Sequence, residues 1–178
     1  MKLFRKQIRP SELGSLLYEA LRSGMESEGD LSMRAYIRSL DRDALTVSEQ
    51  YEGEIVVGLM FGAVMAVERA ASPRVADEII AGMKLAFLQH LEEQGADPIQ
   101  RAEWEAVLAD HFLTYRHCLE NYSGFEPPWK LGRQFYWNLI GVEDHAALLV
   151  KISTLYLLAA RDACEELLNE YGPSLLIR

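Results

Sequence analysis

Chemistry in this 178-residue chain would have to come from a few histidines, two cysteines and a tryptophan–arginine series. Asp110-His111 and Asp144-His145 are adjacent acid–histidine pairs. Neighbours on a helix point in different directions, so neither pair can close on one ion or one proton. His117 and Glu120 are three apart and could share an ion, but Asp110 and Asn121 lie on the same polar side. A solvated pair is the expectation there. A di-iron bundle needs Glu-x-x-His on two helices, so that both ligands point inward one turn apart. The chain has no Glu-x-x-His, no His-Glu-x-x-His and no His-Asp dipeptide. Cys118 and Cys164 offer neither metal spacing nor a disulfide framework and read as small buried hydrophobes. No catalytic residue, metal site or cofactor is assigned.

His111 stands out because it falls among Trp104, Leu108 and Tyr115 at the spacing of an apolar helix face. A buried core histidine held by one hydrogen bond, and free of metal, is the expectation. A ligand or general-base role is the alternative. Nine of the 17 aromatic residues, including all three tryptophans, lie between Trp104 and Trp137, which makes this region the candidate recognition surface. Trp129, Arg133 and Trp137 are spaced i, i+4, i+8, so the guanidinium could stack between two indoles. With Tyr136 and His111 they form the candidate binding set, since aromatics and arginine concentrate at interface hot spots. A pocket near His111 and Arg133 for a small apolar or anionic ligand is the second reading. Trp137 lies outside the apolar arc of its own helix, formed by Trp129, Gly132, Phe135, Tyr136, Leu139 and Ile140. It is expected to be partly exposed and covered by another surface.

The elements that must position these residues are helices. Ile55 to Val67 contains no polar side chain, and Gly58, Gly62, Ala66 and Ala70 recur every four residues, close to one line on a helix. Each interior glycine costs roughly 1 kcal/mol against alanine, so a closely approaching second helix is expected to offset two of them. That partner belongs either to the same chain or to a second copy across a two-fold axis. Prolines partition the rest: Ser72-Pro73 and Asp97-Pro98 read as N-caps followed by proline at the first helical position. Thr46 and Glu49 fit a capping box, and Gly172-Pro173 closes the last helix. The result is seven helices over 10–23, 30–41, 47–70, 73–94, 98–122, 127–140 and 143–171. The expected fold is an all-α, single-domain bundle with a buried Gly/Ala-rich central helix at 47–70. A basic arm over 1–9 precedes one domain over 10–178.

Composition narrows the function classes. Net charge is −9, although the first ten residues hold Lys2, Arg5, Lys6 and Arg9 with no acid. The acidic body argues against nucleic-acid binding. The basic arm could touch an acidic partner or a membrane surface, but short basic termini are usually solvated. The longest apolar run falls short of the roughly 18 residues a bilayer span requires, and the first ten residues lack the apolar core of a signal peptide. A cytoplasmic protein with no membrane span is expected. No phosphate-binding glycine loop, nucleophile elbow or nucleic-acid module is present. The reading that remains is a non-enzymatic interaction or regulatory protein, homodimeric, using the 104–137 aromatic region or the glycine stripe. A small-molecule-binding bundle is the alternative, and an enzyme of unrecognised type using His111 or Asp144/His145 ranks third.

Overall fold

A computed structural model describes residues 8–40, 49–121, 123–124, 126–141, 143 and 146–171, with backbone alone for residues 49 and 50. Seven helices and no strand occur among them: α1 (Pro10–Glu26), α2 (Met33–Ser39), α3 (Glu49–Ala70), α4 (Pro73–Glu93), α5 (Pro98–Glu120), α6 (Glu126–Ile140) and α7 (Ala147–Tyr171). No helix among the described residues is long and apolar enough to cross a membrane. Most of the basic arm (1–7), the expected capping residue Thr46, the Asp144-His145 pair and Gly172-Pro173 lie outside the described residues.

The helix starts follow local chemistry. Pro10, Pro73 and Pro98 each open a helix, where the missing N–H is no loss. Asp97 caps α5 by accepting from the backbone N–H of Ile99 and Gln100, and Gln100 returns the bond to the Asp97 N–H. Ser72 has the extended backbone of an N-cap, but its side chain makes no capping bond. Three boundaries differ from the sequence reading by three residues or more. α1 continues three residues past Ser23, to Glu26. α2 begins only at Met33, because Ser32 acts as its cap and accepts from the Ala35 N–H. α7 begins at Ala147 rather than at 143.

One hydrophobic core draws side chains from all seven helices, and α3 runs through it. From Ile55 to Val67 every residue of α3 is buried except the half-buried Val56. A helix enclosed on all sides needs close neighbours. α3 packs chiefly on α7, α1 on α4, α6 on α7, and α5 on α6. The glycines mark where backbones meet. A Cβ on Gly62 would stand 2.8 Å from the Ala160 Cβ and 2.9 Å from the Leu157 carbonyl oxygen, both on α7. A Cβ on Gly58 would run into the Phe135 ring of α6. These two members of the stripe therefore meet helices of their own chain, while Ala66 is buried and Ala70 half-buried. The backbones of α1 and α4 also meet at glycines, both outside the stripe. A Cβ on Gly82 of α4 would meet the Ser11 backbone, and one on Gly14 of α1 would meet the Ile79 carbonyl.

α7 buries one side and leaves the other partly exposed. Val150, Ser153, Tyr156, Leu157, Ala160, Cys164 and Leu168 are buried, whereas Leu149, Ile152, Leu167 and Tyr171 are only half-buried. The first half of α7 is apolar nearly all round, so its inner side could not be fixed from periodicity alone. The same composition leaves an apolar outer side, described below.

Candidate functional site

The most chemically distinctive contact lies between α3 and α5. His111 Nε2 is 3.0 Å from Glu54 Oε2, with side chains only 15% and 12% exposed. Burial of the imidazole opposes its charge, but the Glu54 hydrogen bond and carboxylate, with lesser help from Asp110 and the Val107 carbonyl, outweigh it and raise the His111 pKa. Nδ1 lies 3.8 Å from Asp110 Oδ2, is buried, and makes no hydrogen bond of good geometry. The Tyr115 ring meets the imidazole edge-on at 5.8 Å. Its hydroxyl accepts from Asn138 Nδ2 at 3.1 Å, and Asn138 Oδ1 accepts from Gln134 Nε2 at 2.8 Å. Polar groups thus link α3, α5 and α6 in a region otherwise apolar.

Glu54 was visible in the sequence only as the residue bounding the apolar run. The signal that would have found it is the stripe itself: one step of four back from Gly58 lands on Glu54. A helix buried on all sides carries its flanking carboxylate inward too, and such a carboxylate needs a partner. His111 supplies it. An acid–histidine pair of this kind can hold or pass a proton, but it lines neither of the clefts described below. Elsewhere, no group of three ligand-type side chains among the described residues could hold a metal ion. His117 is exposed and bonded to Asn121 on the polar side of α5. Cys118 and Cys164 are buried free thiols. Burial pushes Cys118 up and Cys164 up to about 12.

The aromatic set does not form one surface. The Arg133 guanidinium lies over the Trp137 ring at 4.6 Å, so of the two indoles offered by the spacing it takes Trp137. Trp137 itself is half-buried and packs against the core. Trp129 is 37% exposed. Tyr136 is 0% exposed and therefore belongs to the core rather than to a docking face. It falls there because Phe135 and Tyr136 both sit on the buried arc of α6 with Leu131, Gly132 and Leu139. Trp104 packs edge-on against Phe87 at 5.9 Å. The region rich in aromatics mostly fills the bundle. The expected pocket between His111 and Arg133 is not among the two clefts, neither of which either residue lines.

Those clefts lie elsewhere. One, of about 380 Å³, sits between α4 and α5 and is lined by Leu85, Leu88, Glu92, Arg101 and Glu105 among others. Arg101 Nη1 binds Glu92 Oε2 at 2.6 Å across it. The other, of about 480 Å³, is an open groove between α2, α7 and the turn after α1. Its floor is Tyr36 stacked flat on Tyr156, with ring centroids 4.1 Å apart. Both hydroxyls are engaged: Tyr36 with Ser153 Oγ at 2.8 Å, and Tyr156 donating to the Leu31 carbonyl at 2.8 Å. Ile152, Leu155 and Ala159 form one wall, and Glu28 and Asp30 stand at the rim. Leu148, 68% exposed, continues that wall past Leu155, itself 55% exposed. Leu148, Ile152, Leu155 and Ala159 are spaced four, three and four, on the side of α7 turned away from Leu157, Ala160 and Cys164. This outer stripe, about 16 Å long, was not singled out from the sequence. No family model, curated protein or solved structure matches the chain.

Proposed function

We propose that this is a non-enzymatic interaction protein that pairs with a second copy of itself through the outer face of α7. The observation that carries this reading is the stripe of Leu148, Ile152, Leu155 and Ala159. Isolated exposed leucines are ordinary, but four apolar residues in register along one helix, beside an apolar groove, are not. Leaving Leu148 and Leu155 mostly in water forgoes about 1–2 kcal/mol each. An antiparallel copy of the same helix would set Leu148 against Ala159 and Ile152 against Leu155, a self-complementary two-fold contact. The Gly58/Gly62 stripe does not compete for this role, since its two glycines meet α6 and α7 of their own chain. Mass in solution across a dilution series tests the proposal. The parent chain is expected to be dimeric, and Leu148→Glu and Leu155→Glu are each expected to shift it toward monomer while leaving the helical signal intact.

A further inference from the structure

We infer that the outer side of α5, with the cleft it forms against α4, receives an amphipathic helix of another protein. That helix carries large apolar side chains along its seam and lysine or arginine on both flanks. α5 is apolar on two sides. Trp104, Leu108 and Tyr115 pack on the core, where α3 brings Gly53 against the Trp104 ring and Glu54 against His111. On the opposite side Ile99, Ala102, Ala106, Ala109 and Leu113 follow one another at steps of three, four, three and four. That is the a/d spacing of a seam that pairs with a second helix. All five are exposed, Ile99 at 71% and Leu113 at 68%. The seam runs about 21 Å. α4 adds Leu85, 56% exposed, and Leu88 as the wall of the cleft in which Ala102 and Glu105 lie. An apolar face of this length, continued onto a second helix, is the mark of an interaction site.

The charges beside the seam decide what covers it. Of the four flanking e and g positions between Ile99 and Leu113, three are acids: Glu103, Glu105 and Asp110. The fourth is the buried Phe112. Glu103 pairs with no cation among the described residues, and Asp110 stands 3.8 Å from His111 Nδ1. The cations on this side are engaged. Arg101 binds Glu92, Arg116 binds Glu68, and Lys84 lies over the Phe112 ring at 5.0 Å, attracted by Glu105. A second copy of α5 laid on this seam would set acid against acid in either orientation, because e and g carry the same sign. A helix with lysine or arginine at its own e and g positions meets attraction on both flanks. The three alanines leave room for leucine-sized side chains from that helix, large against small. Opposite charges at such a rim add modestly to affinity and more to orientation and partner choice. The inference adds a second partner to the interaction role proposed above and does not depend on self-pairing through α7.

Two synthetic peptides about three heptads long probe the face. Both carry leucine at a and d; one has lysine and the other glutamate at e and g. A scrambled lysine peptide of the same composition is the control. Affinity for the full chain is read by fluorescence anisotropy at low and high salt. The lysine peptide is expected to bind about tenfold or more tightly than the other two at low salt, with the gap narrowing as salt rises. Glu103→Lys/Glu105→Lys/Asp110→Lys is expected to exchange the preference between the lysine and glutamate peptides. Ala106→Gln/Leu113→Gln leaves the charge unchanged and is expected to weaken the lysine peptide about tenfold or more. All five positions are exposed, and matched circular dichroism checks that each variant folds. Leu155→Glu is expected to bind the lysine peptide as the parent does, which separates this face from the α7 contact. Equal binding of the scrambled peptide, or a lysine peptide indifferent to Ala106→Gln/Leu113→Gln, overturns the inference. So does a parent dimer that Ala106→Gln/Leu113→Gln dissociates, because the face then serves a second copy.

Discussion

Replacing Gly62 with leucine probes the approach of α3 to α7, on which the buried central helix depends. A Cβ at position 62 would stand 2.8 Å from Ala160 Cβ, 2.9 Å from the Leu157 carbonyl oxygen and 3.2 Å from the Arg161 amide nitrogen. Carbon atoms rest about 3.5–4.0 Å apart, so even alanine's methyl would sit roughly 0.7 Å too close to Ala160. The other two atoms are backbone of α7 and cannot swing aside; α7 would have to move away from α3. Leucine places three further carbons beyond that obstructed Cβ. Overpacking of a filled core costs about 1–3 kcal/mol and sometimes more, and leucine belongs at the upper end. Against this, leucine recovers roughly 1 kcal/mol of helix propensity relative to glycine. The net expectation is a loss of about 2–3 kcal/mol, which lowers Tm by roughly 5–10 °C at this chain length. Gly62→Ala should fall between the two, near the parent or slightly below it. Thermal unfolding followed by far-UV circular dichroism reads both. A leucine variant as stable as the parent would mean that position 62 faces free space, and the close-packed account of α3 would fail.

Three further outcomes follow from the buried polar groups. His111 has a raised pKa in the folded state, so its contribution to stability is fully present below its unfolded value, about 6.5, and is lost as pH rises through the folded value. Denaturant midpoints should therefore decline above about pH 6.5, and His111→Gln should flatten that part of the profile; an unchanged profile refutes the assignment. Removing His111 alone, as His111→Leu, leaves Glu54 buried without its partner and should destabilise by about 3 kcal/mol. The double variant Glu54→Leu/His111→Leu should recover most of that loss in chemical unfolding, and failure to recover would show that the pair is not the source of the cost. Cys164, with its thiol pushed up to about 12 by burial, should resist a thiol reagent in the native protein at neutral pH and react only on unfolding; rapid native labelling would contradict its placement.

The architecture was legible because proline, capping side chains and apolar periodicity all act locally. Pro73, Pro98 and the Asp97 cap place the starts of α4 and α5 to the residue, and the unbroken run from Ile55 to Val67 identifies the enclosed helix. What depends on long-range contact was not legible. Glu54 finds His111 57 positions away, and Tyr36 finds Ser153 117 positions away. The stripe places Glu54 inward and the α5 face places His111 inward, but nothing in either neighbourhood names the partner. The aromatic cluster misled for a related reason. Trp104, Tyr115, Phe135 and Tyr136 are large enough to serve either a core or an interface, and only the packing of α5 and α6 on their neighbours decides that they fill the core. The outer stripe of α7 was hidden by the opposite circumstance. That helix is apolar on both sides in its first half, so Leu148 and Leu155 could not be told from core residues until the inner face was known.

The central claim is that the outer face of α7 joins two copies of this chain. Native mass spectrometry of the parent protein and of Leu155→Glu, at equal concentrations and with matched circular dichroism, tests it most directly. The account predicts a species of twice the chain mass for the parent and the single-chain mass for the variant, both equally helical. A parent protein that remains at the single-chain mass across the concentration range, or a Leu155→Glu variant that stays dimeric, would contradict it.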